Sequence, residues 1–255
     1  MSKYDNDTKR YRMIYDIHTH TTFSHGKGSI EDNVKVALRK GLSTIGISDH
    51  GPGHLTYGVK RKDFPAMREE IRRLQPLYPE IRILLGVEAN IINASGKLDI
   101  TEKEEQDLDY VLAGYHYGIL GEQPISAIRT HLVNLIASKY GKGGNSVQKR
   151  INTELIIKAL HENQIKVLTH PGDKGPFDLL PIAKACEETG TLMEISTWHE
   201  APITAELKNL AATEVRFIIS SDAHSPQRVG TFVPGLKRAL EAGVDPARID
   251  NLEEV

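Results

Sequence analysis

Nine residues with metal-binding side chains stand at or just beyond the ends of apolar runs, so any fold of this chain must bring those run-ends together. They are His18, His20, His25, His50, His116, His170 and His224, with Glu88 and Asp222. In context they read Asp16-Ile17-His18-Thr19-His20, Asp49-His50, Gly86-Val87-Glu88, Tyr115-His116, His170-Pro171 and Ser221-Asp222-Ala223-His224. Side chains two apart on extended backbone point to one face, so His18-x-His20 and Asp222-x-His224 each offer two convergent ligands. Imidazole nitrogen and carboxylate oxygen suit zinc, iron and manganese. A catalytic zinc usually takes about three protein ligands and keeps one position open. Nine such groups therefore point to a cluster of two or three divalent transition-metal ions, and such a cluster points to hydrolysis.

The apolar runs alternate with amphipathic stretches. Strands are expected at about 13–17, 44–48, 81–87, 110–115, 166–169, 192–196 and 216–220. Several are continuous in Ile, Val and Leu, as strands buried on both faces are. Helices are expected between them: one capped by Ser29, with Asp32 completing a capping box and Gly41 as its stop, and others near 64–77, 153–163, 178–189, 201–211 and 234–242. Strand–helix alternation with short links means parallel strands and right-handed crossovers. Ligands arrive from nearly every strand, and only a closed or nearly closed barrel brings seven strand ends to one mouth. The expected fold is α/β, a closed or nearly closed seven-stranded TIM-like barrel in a single domain, with residues 1–12 as an N-terminal extension and the site at the C-terminal face. At 255 residues the chain is within the usual size of such a barrel.

A lone histidine is more often a surface or core residue than a ligand, and His54, His131, His161 and His199 are read that way. Asp16 and Asp49 precede strand-end histidines and are candidates to orient imidazoles through the ring N–H that faces away from the metal, with capping of the following loop an equal alternative for Asp49. Glu88 ends an apolar run, where a carboxylate is costly unless paired or metal-bound. The single cysteine, Cys186, cannot form an internal disulfide, which fits a reducing compartment. The first 12 residues are polar and no apolar run reaches the length of a membrane span, so the cytoplasm is the expected location and no membrane partner is expected. A formal net charge of −2 gives no basic footprint for an extended nucleic-acid strand.

These motifs in this order resemble the polymerase and histidinol phosphatase (PHP) superfamily of metal-dependent phosphoesterases, over residues 14 to about 238. The segments that carry the likeness are Asp16 to Gly26, Ser48-Asp49-His50, His170-Pro171 and Ser221-Asp222-Ala223-His224, with Glu88 and His116 where the family places two further ligands. The resemblance implies a distorted seven-stranded (β/α) barrel carrying a trinuclear site. One ion would be held by His18, His20, Glu88 and Asp222. A second would share Glu88 as a bridge and add His116 and His170. A third would take His25, His50 and His224. Some relatives carry Asp where this chain has His25, and the histidine favours a filled third site.

The expected chemistry is hydrolysis of a phosphate ester by a hydroxide bridging the ions, with Asp222 and Glu88 as the carboxylates that hold it in place. No Gly-x-Ser-x-Gly elbow exists and Cys186 lies outside every motif, so no covalent nucleophile is expected. Arg228, Lys174 and Arg61, the last within Lys60-Arg61-Lys62, are the candidate phosphate clamps. Relatives that resemble histidinol phosphatases often carry an arginine after the sixth strand. The segment here, Ser196-Thr197-Trp198-His199-Glu200, has none, which argues against histidinol phosphate. Trp198 can stack on a ring or pack over the rim. The stretch from about 118 to 150 reads as an insertion and a candidate lid. The expected partner is a small phosphorylated metabolite or nucleotide. The alternatives are a histidinol-phosphate phosphatase, an exonuclease-like phosphodiesterase, and a metal-bearing interaction domain without catalysis. A metal-dependent amide hydrolase would share His-x-His and the late Asp but leave His25, His50 and His224 unexplained.

Overall fold

Tyr110 sets the inside of the barrel. In the computed structural model, which describes residues 4–116, 119 and 146–255, its hydroxyl donates to the Ile17 carbonyl at 2.9 Å. A Cβ on Gly46 would come within 2.1 Å of that hydroxyl, and one on Gly86 within 2.3 Å of the ring. Two neighbouring strands thus give up side chains so that one aromatic ring can fill the centre. Ile17, Leu112, Val167, Leu192 and Ile218 form a separate buried apolar cluster, with Tyr15 and Tyr110 packed on it. Their neighbours Val111, Ala113, Phe217 and Ile219 belong instead to the larger cluster beneath the helices. This period-two division is what a barrel strand shows when one face looks inward and the other meets helices.

The strands are β1 (Tyr11–Met13), β2 (Tyr15–Asp16), β3 (Thr44–Ile47), β4 (Arg82–Asn90), β5 (Tyr110–Gly114), β6 (Val167–Leu168), β7 (Leu192–Ser196), β8 (Phe217–Ser220) and β9 (Leu252–Glu254). β2 to β8 form a seven-stranded sheet in sequence order, every pair parallel, with helices between them. This is the expected α/β barrel, nearly closed. The helix Ile30–Arg39 carries the expected capping box, with Ser29 Oγ accepting from Asp32 N–H at 3.1 Å and Asp32 accepting from Ser29 N–H at 3.0 Å. Gly41 ends it at φ +74°.

Two features differ from the sequence expectation. The run at 13–17 is not one strand: β1 pairs antiparallel with β9, a strand the pattern did not reveal, and β2 enters the barrel. Residues 11 and 12 of the expected extension are therefore built into a sheet. Of the expected insertion, residues 146–150 open the helix Ser146–Glu162 and Ile119 pairs with His54, while the rest lies outside the described residues, as does His131.

β2 and β8 share no strand ladder, and other groups close that seam. His20 N–H donates to Ala223 C=O at 2.9 Å and Ala223 N–H to His18 C=O at 3.3 Å. Lower down, the Asn251 amide donates to Tyr15 C=O at 2.8 Å and Ile219 C=O at 2.7 Å and accepts from Ile219 N–H at 3.1 Å. A side-chain amide stands in there for a strand.

Candidate metal centre

Six of the seven barrel strands deliver a sequence-predicted site residue to the C-terminal mouth. His18 and His20 follow β2, His50 follows β3, Glu88 is on β4, His116 follows β5, His170 follows β6, and Asp222 and His224 follow β8. All eight are buried except His224, which is partly so. His170 and Asp222 sit at φ +27° and +47°. Non-glycine residues occupy that region at a cost of order 1–3 kcal/mol and cluster at functional sites.

Four of these groups form a cage. His18 Nε2 lies 3.4 Å from Glu88 Oε1 and 3.6 Å from Asp222 Oδ1; His20 Nε2 lies 3.8 Å from Glu88 Oε2 and 3.1 Å from Asp222 Oδ1. Atoms about 2.0–2.1 Å from a tetrahedral zinc stand roughly 3.3 Å apart, so the cage is the right size. A second set has Glu88 Oε1 at 3.2 Å from His116 Nε2 and 3.0 Å from His170 Nε2, with the two imidazoles 3.3 Å apart. That is one face of a second coordination shell, and Glu88 belongs to both. His18 Nε2 and His50 Nε2 are buried with no hydrogen-bond partner among the described residues. Orphaned ring nitrogens turned inward are what absent cations would satisfy.

The third set is arranged differently from the resemblance. His20 stacks between His50 and His224, its ring 4.3 Å from each, and these three form the tight group. His25 is on the exposed rim, its ring 5.0 Å from His50, 4.4 Å from His224 and 4.3 Å from Tyr57.

Electrostatics fit a cation. Burial alone would raise the Glu88 and Asp222 carboxyls, but the surrounding imidazoles, His116 first for Glu88 and His18 first for Asp222, hold both well below the usual carboxylate range. Burial and then His20 push His50 well down and His224 down to about 3, leaving neutral, ligand-competent rings. Burial opposes a charge on His18, yet Glu194, Asp222 and Glu88 raise it well above its ordinary value. A metal ion would take the place of that proton.

Asp16 and Asp49 do not orient imidazoles as expected. Asp16 accepts from the backbone N–H of His18 (3.4 Å), Ser221 (3.3 Å) and Gly230 (2.8 Å), tying the first and last ligand loops together. Asp49 accepts from Thr21 N–H at 2.7 Å, Thr21 Oγ1 at 2.6 Å and the Ser24 hydroxyl. Short carboxylates at these strand ends reach backbone before they reach a ring. The imidazoles are held by groups not singled out from the sequence: His18 Nδ1 by Glu194 at 2.6 Å, His116 Nδ1 by Asn90 at 2.7 Å, and His224 Nδ1 by the Asp222 carbonyl at 3.0 Å. Glu194 also accepts from His170 N–H at 2.7 Å. A glutamate inside Leu192-Met193-Glu194-Ile195 carried the same signal as Glu88, and Asn90 shares Glu88's face two residues on.

His199, read from the sequence as surface or core, lies at the site, its Nε2 3.4 Å from Asp222 Oδ2 and its ring 4.6 Å from His170. His161 pairs with Glu188 on the surface, as expected. Among the candidate clamps, Arg61 is committed elsewhere, to Glu104 and the Asp99 carbonyl. Lys174 pairs with Asp173. Arg228 lies over Trp198, 4.7 Å from the ring centre, donates to Thr197 C=O at 3.1 Å, and keeps Nε buried without a partner among the described residues. Trp198 in turn stacks 5.4 Å from His224.

The chain matches the PHP domain family over residues 16–201 and belongs to it. A relative from Shewanella sediminis named "probable phosphatase" is 28% identical over 94% of this chain and 90% of its own length. One of the same description from Thermoanaerobacter is 29% identical over 91% and 88%. The solved hisK protein of Listeria monocytogenes shares the fold with a TM-score of 0.62 at 14% identity, over 85% of this chain and 97% of that one. A histidinol phosphate phosphatase from Lactococcus lactis, solved with zinc, L-histidinol and phosphate, has a TM-score of 0.50 at 17% identity, over 91% and 95%. Among the described residues no helix is long and apolar enough to cross a membrane.

Proposed function

We propose that this chain is a metal-dependent phosphoesterase that releases phosphate from a small phosphorylated metabolite or nucleotide. The observation that carries this reading is the pair of ligand sets that meet at Glu88, a cage of His18, His20, Glu88 and Asp222 beside the face of Glu88, His116 and His170. Divalent ions held there would bring the pKa of water from about 16 towards 7 and offset the charge of a phosphate monoester. The family and the phosphatase names of its relatives support the same reaction class.

The remaining steps belong to the chain's own residues. Glu194 and Asn90 fix the ring planes of His18 and His116, so the ligands are held before substrate arrives. Arg228, with Nε unsatisfied beside Trp198, offers a planar donor for phosphate oxygens. Trp198 is 49% exposed next to His224, which gives a ring-bearing leaving group a surface to lie on. Cys186 takes no part: it is buried, and burial pushes its thiol up to about 12.

The test is a panel of phosphomonoesters, including histidinol phosphate, sugar phosphates and nucleotides, assayed with metal-reconstituted protein. His20→Ala and Asp222→Ala are expected to lower kcat/KM by more than about a hundredfold, beyond what loss of a supporting contact costs. Cys186→Ser is expected to retain activity. Wild-type protein loaded with metal and inactive on the whole panel would sink the reading.

A further inference from the structure

We propose that His199 is a tenth metal-binding residue, acting with His170 and Asp222 on an ion of the cluster. The inference rests on the metal centre of the proposed function but not on the reaction. His170, His199 and Asp222 each offer a ligand atom, all within 4.8 Å of one another. The two oxygens of Asp222 divide the work. Oδ1 faces His20 at 3.1 Å and His18 at 3.6 Å, while Oδ2 faces His199 Nε2 at 3.4 Å. A carboxylate turned to histidines on both sides is placed to serve two ions.

His199 also has a polar group behind its ring, here in ion-pair reach where those of His18 and His116 are hydrogen-bonded. Its Nδ1 lies 3.1 Å from Asp173 Oδ2, as Glu194 stands behind His18 and Asn90 behind His116. A carboxylate behind one ring nitrogen fixes the ring and leaves the other nitrogen as the donor. The Asp173 side has its own counter-charge in Lys174. With its side chain 20% exposed, His199 closes the site from the rim and is not a free surface residue. Its loop position, three residues past β7, explains why strand-end spacing passed over it.

Metal-free wild-type protein and variants would be titrated with cobalt(II) and zinc(II), reading the visible cobalt absorption and the final stoichiometry by elemental analysis. His199→Ala is expected to lose one ion or weaken one binding step by at least about tenfold, and Asp173→Asn to weaken the same step by less. His161→Ala, on the far surface, should match wild type. Thermal unfolding establishes that each variant is folded, and His199→Asn replaces the alanine variant if that one is not. Wild-type stoichiometry, affinity and cobalt spectrum in a folded His199 variant would overturn the proposal. Phosphatase activity separates the two ideas. Ions bound through His199 in a protein that hydrolyses nothing on the panel uphold this inference and defeat the proposed function. A fully loaded but slow His199→Ala enzyme does the reverse.

Discussion

Arg228 shows how much one side chain carries here. Its guanidinium is held by the Trp198 ring and the Thr197 carbonyl, and neither neutralises its charge. An anchored, unneutralised arginine over Trp198 fits the proposed bidentate contact with phosphate. Arg228→Ala is expected to lower kcat/KM on an active ester about ten- to hundredfold, the worth of a charge-assisted hydrogen bond of about 1.5–3 kcal/mol. Arg228→Lys should recover only part, lacking the planar fork. Steady-state kinetics decide it, and an unchanged kcat/KM would leave Lys174 as the clamp. At this scale the sequence was legible wherever a candidate ligand followed an apolar run, as His18, His50 and His170 do. It was not legible where function depends on what lies behind a ligand: spacing says nothing of Asn90 meeting His116, or of Asp173 meeting His199. Arg61 shows the converse, a basic residue in the right loop whose charge is taken by Glu104.

Among the elements, β3, β4 and β5 are fitted to one another through Tyr110. Gly86→Ala would place a methyl 2.3 Å from the Tyr110 ring, on strand backbone with little room to yield. Overpacking of this kind costs about 1–3 kcal/mol, or roughly 3–10 °C in Tm at this chain length. Thermal unfolding checks it, and Gly86→Ala combined with Tyr110→Leu should cost less than the sum of the two single changes, because they share one space. Strand order and barrel closure followed from seven apolar runs with helices between. The split of β1 from β2 did not, because Met13 to Ile17 reads as one run and only the distant partner β9 divides it. The short helix Glu102–Gln106, capped by Thr101 and Glu104, is too brief for a periodic signal.

For the whole molecule, the decisive place is the seam between β2 and β8. Asn251→Ala removes three hydrogen bonds, two of them buried, and leaves backbone groups of Tyr15 and Ile219 without this partner. A loss of about 2–4 kcal/mol is expected, measured by urea unfolding at fixed metal concentration; a change below about 1 kcal/mol would mean that the seam closes without it. Chelation should act on the same seam. His18 and His20 stand on one side of it and Asp222 on the other, so an ion bound by all three is a clip across it. Each site filled at a hundred times its Kd adds about 2.7 kcal/mol, so removing metal should lower Tm and holding it in excess should raise it. The same clip sets an order of events during synthesis. The first two ligands leave the ribosome some two hundred residues ahead of Asp222, and at about 5–20 residues per second that gap lasts on the order of ten seconds or more. Glu88 joins the imidazole pair early in that interval, and the cage then waits for Asp222 alone. Completion of the proposed cage is therefore a late event, and a chain cut short before its last barrel strand carries the earlier histidines of the site without Asp222 and His224.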